Sequence, residues 1–375
     1  MAVTLTKRSK RKGGWTDGLH RLLRSNWFGW TILTCALLLA AGAAGIYLAS
    51  SGGDSIRRSE YLEVDGARLY LLVRGADAGA PVLLWLHGGP GGAERPLFRY
   101  FNGRLEKYFV VVYWDQRGAG RSFDAKADPR HLTIAQHLAD LDQLVNHLRL
   151  SLHREKIILI GHSWGAALGL LYTQAHPDKL SAFVAVNPLV STQEQQRAEH
   201  DFVYTEASRR QDNTILDQLR KIGSPPYSTA RNVLAMERLV QRYGGIYYTE
   251  PNRLWVMIRG IASGLAGPLE IARIIKGNNV SLEAMHQELQ TLDLRKSVES
   301  IDVPVLMFLG RHDRHADAQL AAGYFEDLHA PMKKLVWFER SADNVPFEEP
   351  ALFNAAVVRE LQSLGVDLPR GKESH

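Results

Sequence analysis

The tightest constraint on this chain of 375 residues is the run KIILIGHSWGAALGLLY, where a short apolar strand pattern passes into a helical one with no room for a loop. Gly161 and Gly165 stand two places before and two places after Ser163. A strand that turns this sharply into a helix presses its flanking residues against neighbouring backbone, so only small residues fit there, and the central side chain is presented at the tip of the bend. A serine that merely caps a helix is the plain alternative. The full strand–turn–helix context favours a nucleophile at Ser163.

The same texture runs through the rest of the chain. Apolar runs at Val82–Leu86, Phe109–Trp114, Ile157–Ile160, Phe183–Val186, Val303–Leu309 and Lys334–Trp337 alternate with helical patterns at Thr133–Leu150, Ala166–Ala175, Ala316–Leu328 and Pro350–Leu364. Ahead of them, YLEVDGARLYLLVRG reads as a hairpin turning at Asp65-Gly66. Short continuous strands separated by helices predict an α/β fold with a mainly parallel sheet covered on both faces. The alternation stops over residues 190–300, a Gln-, Arg-, Glu- and Leu-rich stretch broken by Gly223-Ser224-Pro225-Pro226 and Gly244-Gly245. That stretch reads as a helical insertion between core segments 59–189 and 301–366, with a tail at 367–375.

Charge is concentrated at the amino end. Lys7, Arg8, Lys10, Arg11, Lys12, Arg21 and Arg24 oppose Asp17 alone within residues 1–26, while the whole chain carries +5, so the remainder is close to neutral. A near-neutral folded part offers no surface for nucleic acid, and none is expected as a partner. The basic arm leads into residues 27–49, which hold no charged side chain and have Trp27, Trp30 and Tyr47 near the ends. At about 1.5 Å per residue, such a run can cross a hydrocarbon core of roughly 30 Å. The expectation is a single-pass membrane anchor with the N-terminus cytoplasmic and the large domain on the extracytoplasmic side. A Gly/Ser-rich linker, 50–58, would join the two. A cleaved signal peptide is the rival, since Ala-Ala-Gly-Ala-Ala-Gly offers small residues to a peptidase, but the arm and the apolar run both exceed that pattern. The lone cysteine, Cys35, falls in this span, so the catalytic part can form no internal disulfide.

Two further motifs carry chemistry. LLWLHGGPGG places a glycine-rich loop directly after a strand. Acyl transfer needs backbone N–H groups aimed at a developing oxyanion, and such a loop supplies one while the residue after the nucleophile supplies the other. Gly89 and Trp164 are the expected donors, with Gly88 a near alternative. VPVLMFLGRHD ends a buried strand at Asp313, which fits the chain order Ser, acid, His, although a helix N-cap would look the same. No Lys-Ser/Thr ending or GxGxxG marks a nucleotide loop, and no HExxH or His/Cys cluster calls for a metal or cofactor.

Taken together, HGGPGG, DQRGAGRS (Asp115 to Ser122), GHSWG and GRHD resemble the proline iminopeptidase-like branch of the α/β-hydrolase superfamily, over about Tyr61 to Leu364. The resemblance implies an eight-stranded core sheet, a helical cap over the site, and a small peptide, amide or ester as substrate. Characterised members release N-terminal proline, and acidic residues of their cap hold the substrate amine. Here Glu199, Glu206, Glu237 and Glu250 are available, and GHSWG replaces the GGSWG usual in proline-specific enzymes.

One position departs from the pattern. The family's last strand is followed by FExSAHxxPFEEP, whose His is the general base. This chain has the same flanks with Asp343 in its place. A carboxylate titrating near 4 is a feeble base for a seryl hydroxyl, and beside Asp313 it would tend to share a proton. Three readings follow. The chain is a catalytically weak relative that binds a small ligand or partner; or another histidine substitutes, His315 ahead of His329, His375, His87 and His162; or Asp313 and Asp343 work as a shared-proton dyad. His162 is expected to leave the elbow on the side away from the site.

Overall fold

The computed structural model describes residues 55–248, 258 and 265–369. The basic arm and the expected anchor at 27–49 lie outside these residues, and among the described residues no helix is long and apolar enough to cross a membrane. The first strand begins at Ile56, inside the stretch 50–58 that the sequence suggested as a linker.

The strands are β1 (Ile56–Val64), β2 (Ala67–Gly75), β3 (Val82–Leu86), β4 (Val110–Asp115), β5 (Ile157–His162), β6 (Leu180–Val186), β7 (Val305–Gly310) and β8 (Lys333–Phe338). They form one eight-stranded sheet in the order β1-β2-β4-β3-β5-β6-β7-β8. The first hairpin is antiparallel and β2 joins β4 antiparallel, while every pair from β4 to β8 is parallel. The hairpin turns at Asp65 (φ 44°) and Gly66 (φ 74°), the two left-handed residues that a two-residue turn of this kind requires.

Burial follows from the pattern. β3, β4, β5 and β7 are buried at every position, as expected of strands with helices on both faces. Alternate residues feed separate cores: Leu84, Leu86, Val112 and Trp114 pack with the helix Ile134–Ser151 on one face, while Leu83, Trp85, Val111 and Tyr113 pack with the helix Pro350–Ser363 on the other. The edge strand β1 instead alternates exposed and half-buried residues. Arg117 fastens this edge of the core, donating to both oxygens of the fully buried Asp140 at 2.6 and 2.8 Å and to the Val64 carbonyl at 3.1 Å.

Among the described residues, the stretch between β6 and β7 is mostly helical. The helices Thr192–Arg209, Asn213–Ile222 and Ala230–Arg242 enclose a small core of Val203, Ile215, Leu219, Met236 and Val240. Asp212 and Thr229 cap the second and third by accepting from Ile215 and Asn232 N–H groups. A longer helix, Pro268–Leu289, rests on two core loops, its Gly277 lying against Gly91 of the loop after β3 and Gly118 of the loop after β4. Its Glu270 pairs with Arg95 and, at 3.0 Å, with Arg121.

Candidate active site

β5 runs straight into the helix Trp164–Ala175 through Ser163, which has φ 51° and ψ −114°. A non-glycine residue in this region is strained by about 1–3 kcal/mol, and it persists only where its surroundings over-determine it. Here the Ser163 N–H donates to the Val186 carbonyl at 2.9 Å, and the Ser163 carbonyl accepts from Ala166 and Ala167. A β-carbon on Gly161 would strike the Gly165 carbonyl, and one on Gly165 would strike the Leu86 carbonyl. The glycine spacing read from the sequence is therefore a steric requirement of the bend.

Ser163 opens into a cavity of about 640 Å³ between the core loops and the cap. Gly88, Gly89, His162, His315 and Asp343 share its wall, and Leu234, Ile271, Ile274 and Leu282 of the cap make the rest largely apolar. Trp164 N–H stands in the first turn of the helix after Ser163. Among the described residues the amides of Gly88, Gly89 and Trp164 donate to no protein group, which leaves them available to a bound oxygen.

A side chain that the sequence reading used only as part of a motif holds these two amide-bearing segments together. Gln116 donates to the His87 carbonyl at 2.9 Å and accepts from the Trp164 indole N–H at 3.1 Å. Its own backbone N–H donates to His87 Nε2 at 3.0 Å, so that nitrogen is unprotonated and Nδ1 donates to the Gly88 carbonyl at 2.8 Å. Burial pushes the His87 pKa down, in keeping with a neutral ring that supports the loop.

Asp313 and Asp343 end in the same neighbourhood, 1% and 4% exposed. Asp313 is not the cap of the following helix, as one sequence reading allowed; that helix begins at Ala318 and is capped by Asp317. Instead Asp313 Oδ1 accepts from the backbone N–H groups of His315 and Ala316 at 2.8 and 3.1 Å. Burial first, and the charge of Asp343 second, push the Asp313 carboxyl well above the usual range. Asp343 Oδ2 accepts from Asn344 at 3.2 Å.

His162 does not turn away from the site as expected. It lines the cavity, with Nδ1 2.8 Å from Glu94 Oε1 and Nε2 2.9 Å from the Asp343 carbonyl. Both partners are acceptors, so both nitrogens must carry hydrogen and the ring is an imidazolium. Burial opposes that charge, but Glu94 and Asp343 outweigh it and hold the pKa well above its ordinary value. A cation so placed is no base. Nothing in the spacing of Glu94 from His162 announced the pair; only the approach of the loop after β3 to β5 creates it.

Of the four candidate glutamates, Glu237 lines the cavity and forms no ion pair among the described residues. Glu199 is buried against His315 Nδ1 at 2.6 Å, and Glu206 is engaged on the cap surface by Arg209 and Arg210. Glu250 lies outside the described residues.

Residues 81–350 match the family model described as alpha/beta hydrolase fold. The chain is 30% identical over 306 residues to the probable aminopeptidase YbaC of Bacillus subtilis, covering 80% of this chain and 94% of that protein. It is 25% identical over 310 residues to the proline iminopeptidase of Saccharolobus solfataricus, covering 81% and 92% respectively. Among solved structures, the proline iminopeptidase of Mycobacterium smegmatis superposes with a TM-score of 0.61 at 17% identity, over 82% of this chain and 98% of that one, a likeness of fold.

Proposed function

Because the chain belongs to the α/β-hydrolase family, in its proline iminopeptidase-like branch, we propose that it is a membrane-anchored serine hydrolase acting on small peptides, amides or esters, with proton transfer altered at Asp343. The observation that carries this reading is the backbone of Ser163, strained at the tip of the β5 bend and opening into a cavity beside unengaged amides of Gly89 and Trp164. In the proposed reaction Ser163 Oγ attacks the acyl carbon. The Gly89 and Trp164 amides then receive the oxyanion, an arrangement in which one donor contributes about 10²–10³ in rate.

Two features support an amine-bearing substrate. Glu237 presents a carboxylate to the cavity without an ion pair among the described residues, and the YbaC and Saccharolobus relatives carry aminopeptidase names. The apolar cap wall suits a small side chain next to that amine. Anchoring rests on the uncharged run 27–49 behind seven basic residues. It predicts that the full chain sediments with membranes and resists alkaline extraction, while a chain beginning at Ser55 is released.

The nucleophile is tested by a fluorophosphonate probe at pH 7. Native protein labels slowly at Ser163, Ser163→Ala does not label, and Asp343→His labels briskly by returning an imidazole to the position the family uses. Equal labelling of the native chain and Ser163→Ala would refute the assignment.

A further inference from the structure

If Asp343 is a feeble base and His162 a fixed cation, the proton of Ser163 needs another acceptor. Other imidazoles are engaged or remote. His87 is bonded at both nitrogens, His137 packs edge-on against the Trp164 ring and does not line the cavity although its Nε2 is unpartnered among the described residues, and His329 sits with Ser300 and Asp302 in a different depression. His375 lies outside the described residues.

His315 is different. It stands in the loop after β7 and lines the cavity that holds Ser163 and Asp343. Its main-chain N–H is tied to Asp313 Oδ1 at 2.8 Å, and its Nδ1 meets Glu199 Oε1 at 2.6 Å. Glu199 comes from the first cap helix and is 1% exposed. Burial pushes the Glu199 carboxyl up while the His315 bond and charge pull it down; as the ionised form it only accepts, so Nδ1 then carries the hydrogen of that bond, and Nε2 has no hydrogen-bond partner among the described residues. A buried carboxylate that fixes Nδ1 and leaves Nε2 available is the logic by which an imidazole takes and returns the proton of a seryl hydroxyl.

We propose that His315, oriented by Glu199, is the proton carrier for Ser163, so that the orienting acid of this site comes from the cap instead of the core sheet. The inference rests on Ser163 being the nucleophile. As Ser163 Oγ bonds to the acyl carbon, its proton passes to His315 Nε2. That proton then goes to the departing amine or alkoxide as the old acyl bond breaks. A water next attacks the acyl-serine, gives its proton to Nε2, and the same proton returns to Oγ as the acid leaves. His315 is then a catalytic residue and Glu199 a positioning one, and the two meet only when the cap is seated.

This carrier has a signature in pH. The groups facing His315 are Glu199 and Glu237 from the cap, Asp343 from the loop after β8, and Asp313 from its own loop. Burial opposes the imidazolium, yet the Glu199 hydrogen bond and these charges push the ring up to about 10. The free base therefore accumulates only in alkaline solution.

The test is hydrolysis of p-nitrophenyl butyrate by the full chain in detergent, with the Ser163→Ala rate subtracted at each pH. From pH 6.5 to 9, kcat/KM rises about tenfold per unit, as expected when a single base must lose its proton. His315→Gln loses this rise and falls to a small fraction of the native rate at pH 9. Glu199→Gln stays active, but its rising limb moves to lower pH by at least about one unit, the size of shift an adjacent carboxylate causes. A structural role for Glu199 would lower the rate without moving the limb, so an unmoved limb overturns the proposal. A flat profile overturns it too, as does native activity in His315→Gln, or a native chain silent at pH 9.5 while Asp343→His is active. That last result would leave Ser163 intact as nucleophile, whereas turnover that survives Ser163→Ala would refute the nucleophile itself.

Discussion

Gly277 of the long cap helix meets Gly118 of the core backbone to backbone, so closely that a β-carbon added to Gly277 would collide with the Gly118 carbonyl oxygen. Gly118 belongs to DQRGAGRS, and the same helix bonds that loop through Ser281 Oγ, 3.5 Å from the Gly118 carbonyl. The motif thus serves as the seat of the cap. Gly277→Val forces the helix off this seat and costs about 1–3 kcal/mol, as overpacking does. A fall of several degrees in Tm by calorimetry is the expected result. Gly323, in the helix Ala318–Asp327 with nothing within 4 Å of an added β-carbon, is the control. Gly323→Ala holds or raises stability, by up to about 1 kcal/mol. Equal melting of the two variants would show that the cap does not depend on this contact.

Gln116 couples the two segments whose amides face the cavity, yet it does not itself line the cavity. Gln116→Leu leaves the His87 carbonyl and the Trp164 indole without their partner and lets both segments drift. A misplacement of about 1 Å at a reacting centre costs up to about 10²-fold in rate, so kcat falls tenfold or more while KM stays near native. Steady-state kinetics on the butyrate ester decide this, and a change confined to KM would contradict it.

Glu237 carries the amine preference in the proposed function. Glu237→Gln lowers kcat/KM for alanine p-nitroanilide by at least about tenfold, a charge-assisted hydrogen bond being worth roughly 1.5–3 kcal/mol. Hydrolysis of the N-acetylated anilide, which lacks the charged amine, does not fall; it holds or rises, because loss of the Glu237 charge eases deprotonation of His315. Equal losses on both substrates would remove Glu237 from amine recognition.

Asp313 sets a pH dependence of stability. Its folded pKa is raised by burial and by Asp343, so the folded state favours the protonated acid. That contribution is complete below the ordinary carboxylate value near 4 and is lost as pH climbs through the raised folded value. Asp313→Asn keeps the acceptor for His315 and Ala316 N–H groups but cannot ionise. The variant and native chain melt alike at pH 4, and the variant melts higher at pH 8. Thermal melts at the two pH values check the sign, and a native chain that out-melts the variant at pH 8 would reverse it.

What could be read ahead of the structure was whatever neighbours in sequence enforce. The Ser163 bend needs two glycines within five residues, the hairpin needs Asp65-Gly66, and buried parallel strands need unbroken apolar runs. Strand limits slipped by a residue or two, as at β7, expected from Val303 and found from Val305, because Val303 and Pro304 are apolar but precede the ladder. His162 was misplaced for a deeper reason. The period of a strand assigns it a face, but does not say that Glu94, 68 residues away, would come to meet it.

The order of residues along the chain therefore determined the α/β architecture, the bend at Ser163, the glycine loop, the helical insertion and the carboxylate at 343. Each depends on local sterics or on a repeating apolar pattern, which neighbouring residues carry in full. Tertiary structure alone decided which polar groups face one another: Glu94 with His162, Glu199 with His315, and Gln116 between His87 and Trp164. Such pairs join segments 29 to 116 residues apart. Their energy comes from direction and distance within a dry interior, quantities that exist only once the sheet and cap have closed on one another.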